Sequence, residues 1–195
     1  MTWQFFYWGP LLFHTTILPG HLKKLRSICR KDPKLDHRKS LAGIIQHEYT
    51  IELRDYLEIM VPYLSDFNQA AKEWYSFKKG ADILVTSAWV NYMKAGECNP
   101  PHMHQAAFSS VFYLKVPKGL KKEVEKCKAN HTWPGAIQFL FNNPTVPNTI
   151  NSYQHLPEAG DFFIFPGSLM HCVNSFQSSG ERISIAANFI FPTKN

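Results

Sequence analysis

DILVTSAWVNYM, residues 82–93, is where the period of the chain changes. Upstream, apolar residues recur at helical spacing; here β-branched and aromatic residues crowd into a short run, the pattern of a strand. Four more such runs follow: AAFSSVFYLKV (106–116), GAIQFLFN (135–142), GDFFIFP (160–166) and RISIAANFIF (182–191). Clusters of Gly, Pro, Asn and Ser separate them. Several strands at this spacing, preceded by helices, predict an α+β chain. Its C-terminal half would be an antiparallel barrel or double-sheet jelly roll, with the N-terminal helices packed on one side.

Working outward, the first third begins with an extended segment and then reads as helical. HLKKLRSICRK (21–31) carries Leu22, Leu25, Ile28 and Cys29 on one face. Further helices are predicted over 40–46 with its flank and over roughly 62–78. In the latter, Tyr63, Leu64, Phe67, Ala70, Ala71, Trp74 and Tyr75 form an apolar stripe, and Gly80 ends the pattern. With 195 residues and no repeats or flexible linkers, one domain is expected, helical over 1–81 with a β core over 82–193.

Composition excludes several classes of function. No run of eighteen apolar residues exists, so no membrane span is expected. MTWQFFYWGPLLFH (1–14) lacks the basic start and small-residue cleavage site of a signal peptide. Cys29, Cys98, Cys127 and Cys172 show no CxxC pairing and read as reduced thiols, which points to the cytoplasm. The net charge of +6 is concentrated in 21–39 and 115–128. Those stretches read as solvated faces, because no aromatics interleave the lysines as a nucleic-acid surface would require. The oligomeric state stays open, a homodimer being one option.

Chemistry gathers on the β half. His102-x-His104 precedes one strand, His171 follows GDFFIFPGSLM, and Arg182-Ile183-Ser184 opens the last strand. Imidazoles suit Fe(II), Zn or Cu. Two ligands close together plus one from a distant strand can occupy one face of a metal and leave its other positions open. A guanidinium can grip a carboxylate with two hydrogen bonds. A serine two residues further along a strand points to the same side and can add a hydroxyl.

In order and spacing these residues resemble the 2-oxoglutarate and Fe(II)-dependent dioxygenase superfamily. The nearest group is the 2OG-Fe(II) oxygenases marked by W-x-N, G-x-x-N-x-x-H-x-H and S-G-V-x-Y. Here those motifs stand as Trp89-Val90-Asn91, Gly96 to His104, and Ser109-Ser110-Val111-Phe112-Tyr113. The resemblance covers roughly 82–193. It implies a double-stranded β-helix, Fe(II), 2-oxoglutarate as cosubstrate, O2, and hydroxylation of a small molecule or protein side chain. By position it makes His102 and His171 metal ligands and Arg182 the 2-oxoglutarate anchor, with Ser184 adding a bond to the same carboxylate.

Two residues depart from the superfamily pattern. His104 stands where Asp or Glu is usual, and Ser110 stands where the group has glycine, a change expected to crowd the strand near the pocket. His104 is read as the third ligand, with Glu97 and Asp161 as alternative carboxylates. Tyr113, Asn91 and Asn188 are either cosubstrate contacts or satisfied core groups. The other histidines, His14 and His155 among them, show no companion spacing and read as ordinary. Two rival functions share the ligands: a cupin-like three-histidine enzyme that uses no keto acid, and a binding module with a degraded site.

Overall fold

The computed structural model describes residues 9–75, 83–128, 133–141 and 151–191. The order of elements is β1 (Phe13–Thr16), α1 (Pro19–Ile28), β2 (Glu48–Thr50), α2 (Leu53–Trp74), β3 (Leu84–Met93), β4 (Asn99–His102) and β5 (Phe108–Lys115). After them come α3 (Leu120–Lys126), β6 (Ile137–Leu140), β7 (Ser152–His155), β8 (Asp161–Pro166), β9 (Met170–Val173) and β10 (Arg182–Ile190). All pairings are antiparallel. One sheet runs β1-β8-β5-β10-β3-β2 and the other β4-β9-β6-β7, the double-sheet arrangement expected.

Strand alternation divides the large sheet into two working faces. Phe108, Phe112, Leu114, Phe162, Ile164, Ile185, Ala187 and Phe189 join a cluster with Tyr56, Met60, Tyr63 and Phe67 of α2 and Leu25 of α1. The opposite face of the same strands sends Met93, Val111, Tyr113, Phe163 and Phe165 toward Ile137, Phe139 and Val173 of the small sheet. Central strands covered on both sides read as unbroken apolar runs, which is why β5 and β8 show little alternation in sequence. A β-bulge in β3 re-phases the pattern at one end of β10. Asn188 pairs with Ser87 but Phe189 pairs with Val85, so Thr86 is the extra residue and Val85 rejoins the helix-side cluster.

The N-terminal third differs from expectation in three places. Helix α2 begins at Leu53, nine residues before the expected start. Pro62, a residue typical of helix starts, lies inside it, and the buried stripe Tyr56, Ile59, Met60, Tyr63, Leu64, Phe67, Ala71 holds the helix together around it. The helix expected over 40–46 is absent. Residues 38–40 make a single 3-10 turn, and Ile44 then donates its N–H to the Cys98 carbonyl at 2.9 Å. So short a segment cannot nucleate a helix unaided, whereas bridging to the loop before β4 satisfies its backbone. Finally, this third supplies β1 and β2, the two edges of the large sheet. The expected helix stop at Gly80 lies outside the described residues.

Candidate metal and cosubstrate site

A cavity of about 390 Å³ opens between the two sheets. Its histidine-lined wall is built by backbone pairing. His102 ends β4 and sits directly opposite His171 of β9. The chain then turns so that the His104 N–H donates to the Gly167 carbonyl at 2.8 Å, in the turn that follows β8. Gly167 must be glycine for this approach, because a Cβ there would collide with the Ala106 carbonyl.

The imidazole nitrogens of His102, His104 and His171 all lie within 4.8 Å of one another. His102 Nδ1 donates to the Pro100 carbonyl at 2.7 Å and His171 Nδ1 to the Leu169 carbonyl at 2.8 Å. A carbonyl only accepts, so each Nδ1 carries the proton and each Nε2 keeps a free lone pair. His104 Nε2 and His171 Nε2 stand 3.3 Å apart. That is close to the separation of about 3 Å between two nitrogens on neighbouring corners of a metal with bonds of roughly 2.1 Å. Burial, reinforced by neighbouring His102, pushes the His171 imidazole down to about 3 and that of His104 to about 4; burial also lowers His102. All three are therefore neutral near pH 7, the form that binds metal.

Arg182, only 2% exposed, contributes to the wall of the same cavity. Its guanidinium lies over the Tyr113 ring at 4.7 Å, and Nη1 points at Met93 Sδ at 3.5 Å. Its Nε and Nη2 have no hydrogen-bond partner, nor does the Tyr113 hydroxyl. A buried cation with two unmet donors is costly unless an anion completes it. Ser184 pairs across the sheet with both Tyr113 and Asn91, so the three form one row on the cavity-side face. Within it, Asn91 Nδ2 donates to Ser184 Oγ at 3.5 Å. The Oδ1 atoms of Asn91 and Asn188 are buried without partners.

The alternative carboxylates lie elsewhere. Glu97 accepts the N–H groups of Gln46 and Lys94, and Asp161 is engaged by His14 and His155. Ser110 of β5 is 2% exposed, reaches the cavity lining and keeps its Oγ buried. The sequence did not single out Glu48 of β2, yet it is 1% exposed, lines the cavity and leaves Oε2 unpartnered. Burial, followed by the charge of Glu97, raises its carboxyl to about 7. Only its pairing with Asn91 reveals it, and that pairing is between strands from distant parts of the chain.

The donor set fits Fe(II) with 2-oxoglutarate: neutral imidazoles for the metal, and an unsatisfied guanidinium for a carboxylate. Residues 87–188 match the family described as "Putative 2OG-Fe(II) oxygenase", just over half the chain. No curated protein matches. Among solved structures, a Pseudomonas putida prolyl-4-hydroxylase is similar at 15% identity and TM-score 0.57, covering 93% of each chain. The collagen prolyl hydroxylase of Paramecium Bursaria Chlorella virus-1, solved with 2OG, is similar at 12% identity and TM-score 0.57, covering 92% of this chain and 96% of its own. The 2-oxoglutarate-dependent epimerase SnoN of nogalamycin biosynthesis is similar at 12% and 0.58, covering 92% and 76%. At such identities the likeness is one of fold, the double-stranded β-helix. The matched family spans both histidine motifs and the arginine strand, and the chain belongs to it: it is a 2OG-Fe(II) oxygenase.

Proposed function

We propose that His102, His104 and His171 hold the Fe(II) and that Arg182 and Ser184 bind the distal carboxylate of 2-oxoglutarate, in an enzyme that hydroxylates an organic substrate. The observation that carries this assignment is Arg182, a buried guanidinium with two unmet donors in the cavity that the three imidazoles line. A three-histidine enzyme without a keto acid would leave that charge uncompensated.

Fe(II), when bound, couples O2 and the loss of CO2 from 2-oxoglutarate, which leaves succinate, to oxidation of the substrate. The chain's own residues do the positioning. The Pro100 and Leu169 carbonyls fix two imidazole orientations, so the ligands need no reorganisation when metal arrives. Tyr113 packs its ring against the guanidinium, and its hydroxyl is a further candidate contact for the cosubstrate. Asn91 holds Ser184, while Asn188 and Glu48 present acceptors elsewhere in the cavity.

The cavity has room for a small molecule or an inserted protein side chain. Lys23 and Lys24 of α1 and Lys121, Lys122 and Lys126 of α3 are exposed on helix surfaces, which supports solvated faces over a nucleic-acid groove. No helix among the described residues is long and apolar enough to cross a membrane. The free thiols of Cys29, Cys98 and Cys172 support a reducing, cytoplasmic setting for a single catalytic domain over 1–195.

Anaerobic Fe(II) affinity tests the ligand set. His102→Ala, His104→Ala and His171→Ala should each weaken binding by at least roughly tenfold. His104→Asp should retain it, because a carboxylate on the shorter arm offsets part of the metal charge. Wild-type affinity in His104→Ala would remove that residue from the ligand set.

A further inference from the structure

A second constellation stands at the open edge of the two sheets. His14 lies on β1, Asp161 opens β8 and His155 ends β7, so the large sheet supplies two members and the small sheet the third. His14 Nε2 is 3.1 Å from Asp161 Oδ1, and His155 Nε2 is 2.7 Å from Asp161 Oδ2. One candidate ligand atom from each residue falls within 4.8 Å of the others. Phe163 forms the floor, its ring 4.5 Å from that of His14 and 4.9 Å from that of His155. We propose that His14, His155 and Asp161 form a second metal site, which takes Zn(II) and staples β1 and β8 to the end of β7.

Three features of the cluster point to this ligand. Two imidazole nitrogens and one carboxylate oxygen are a borderline donor set that suits Zn(II) and does not suit the oxygen-seeking Mg(II) or Ca(II). Ligands on a tetrahedral Zn(II) stand about 3.3 Å apart, so admitting the ion requires the 3.1 Å His14 contact to open by about 0.2 Å and the 2.7 Å His155 contact by about 0.6 Å. Each ring must also pass its Nε2 proton to Nδ1, a tautomer change that water can mediate. Access is graded, with side-chain exposures of 42% for His14, 22% for His155 and 12% for Asp161. The ion can enter from solvent and keep a water at its fourth position, while the carboxylate stays anchored.

That anchoring is local. Asp161 Oδ2 also accepts the Glu158 N–H at 2.7 Å, across a turn whose Gly160 has φ of +106°. Burial works against ionisation of Asp161, but the bonds from His155, Glu158 and His14 outweigh it and hold the carboxyl below its usual range. The carboxylate is therefore charged near pH 7. The site has a place in the fold's mechanics too. Phe163 touches Phe139, which touches Phe165, and Phe165 packs on the catalytic-cavity ligand His171. A staple here fixes the aromatic layer between the sheets.

Zn(II) titration separates this site from the cavity. In a His102→Ala/His171→Ala double variant, which disables the cavity ligands, one equivalent of Zn(II) should still bind. Adding His14→Gln or His155→Gln should weaken it on the order of a hundredfold. Both side chains reach solvent and glutamine preserves a hydrogen bond to Asp161, so the variants should fold; circular dichroism checks that. Excess Zn(II) should raise the melting temperature of the double variant by about 5 °C, and not that of the triple variants. Absence of tight Zn(II) in the double variant, or Zn(II) affinity unchanged by both glutamine substitutions, would reduce the cluster to a hydrogen-bonded pin.

Discussion

The two faces of strand β10 carry opposite kinds of residue. Toward the helices it sends Ile185, Ala187 and Phe189, each at most 1% exposed and surrounded by apolar side chains. Toward the cavity the same nine-residue strand sends Arg182, Ser184, Ala186 and Asn188. On the helix side these apolar side chains need no hydrogen bond; the cavity side holds a buried cation and the buried Asn188 amide oxygen, both with atoms that lack partners. The α1/α2 layer therefore supplies the stability that lets the cavity side remain incomplete until a cosubstrate arrives.

The division can be broken from either side. The largest effect should come from the helix-facing layer. Phe162 is fully buried against Tyr63 and Phe112, so Phe162→Ala should cost about 3–5 kcal/mol of unfolding free energy in denaturant titrations. On the cavity face the sign should reverse. Arg182→Met removes an uncompensated charge, so the metal-free protein should be as stable as wild type or more stable by about 1–4 kcal/mol. The same variant should bind 2-oxoglutarate roughly a hundredfold more weakly, as isothermal titration would record.

Glu48 sharpens the comparison by pH. Burial raises its carboxyl from the ordinary 4.5 to about 7 in the fold, so the folded state holds the proton longer than the unfolded chain does. Its contribution to the stability of the metal-free protein should therefore be lost as pH rises from about 5 to about 8, by about 1–2 kcal/mol. Glu48→Gln should flatten that part of the profile. An equal slope in the variant would assign the pH dependence to other groups.

Legibility in the sequence followed the range of the interactions. Strands β3, β5, β8 and β10 were readable because buried central strands are long apolar runs, and His102, His104, His171 and Arg182 because they stand at strand ends in a recognisable order. Edge strands β1 and β2 were not, since three- and four-residue pieces carry too little period and owe their form to partners 39 or more residues away. Glu48 reaches the cavity only through such an edge. His14 and His155 read as ordinary for the same reason: the cluster with Asp161 exists only after two sheets meet, and nothing in local spacing announces it. Pro62 hid the start of α2, whose length is set by the stripe it buries rather than by its proline.

If one cavity holds the metal through imidazoles and the keto acid through Arg182, both ligands must meet at a single iron. An anaerobic absorption titration of the Fe(II)-loaded protein with 2-oxoglutarate tests it most directly, because the visible charge-transfer band requires both ligands on one site. The wild type should give a saturable band, Arg182→Met a band only at roughly a hundredfold higher 2-oxoglutarate, and His171→Ala none. A band of unchanged affinity in Arg182→Met, or no band in the folded wild type, would contradict it.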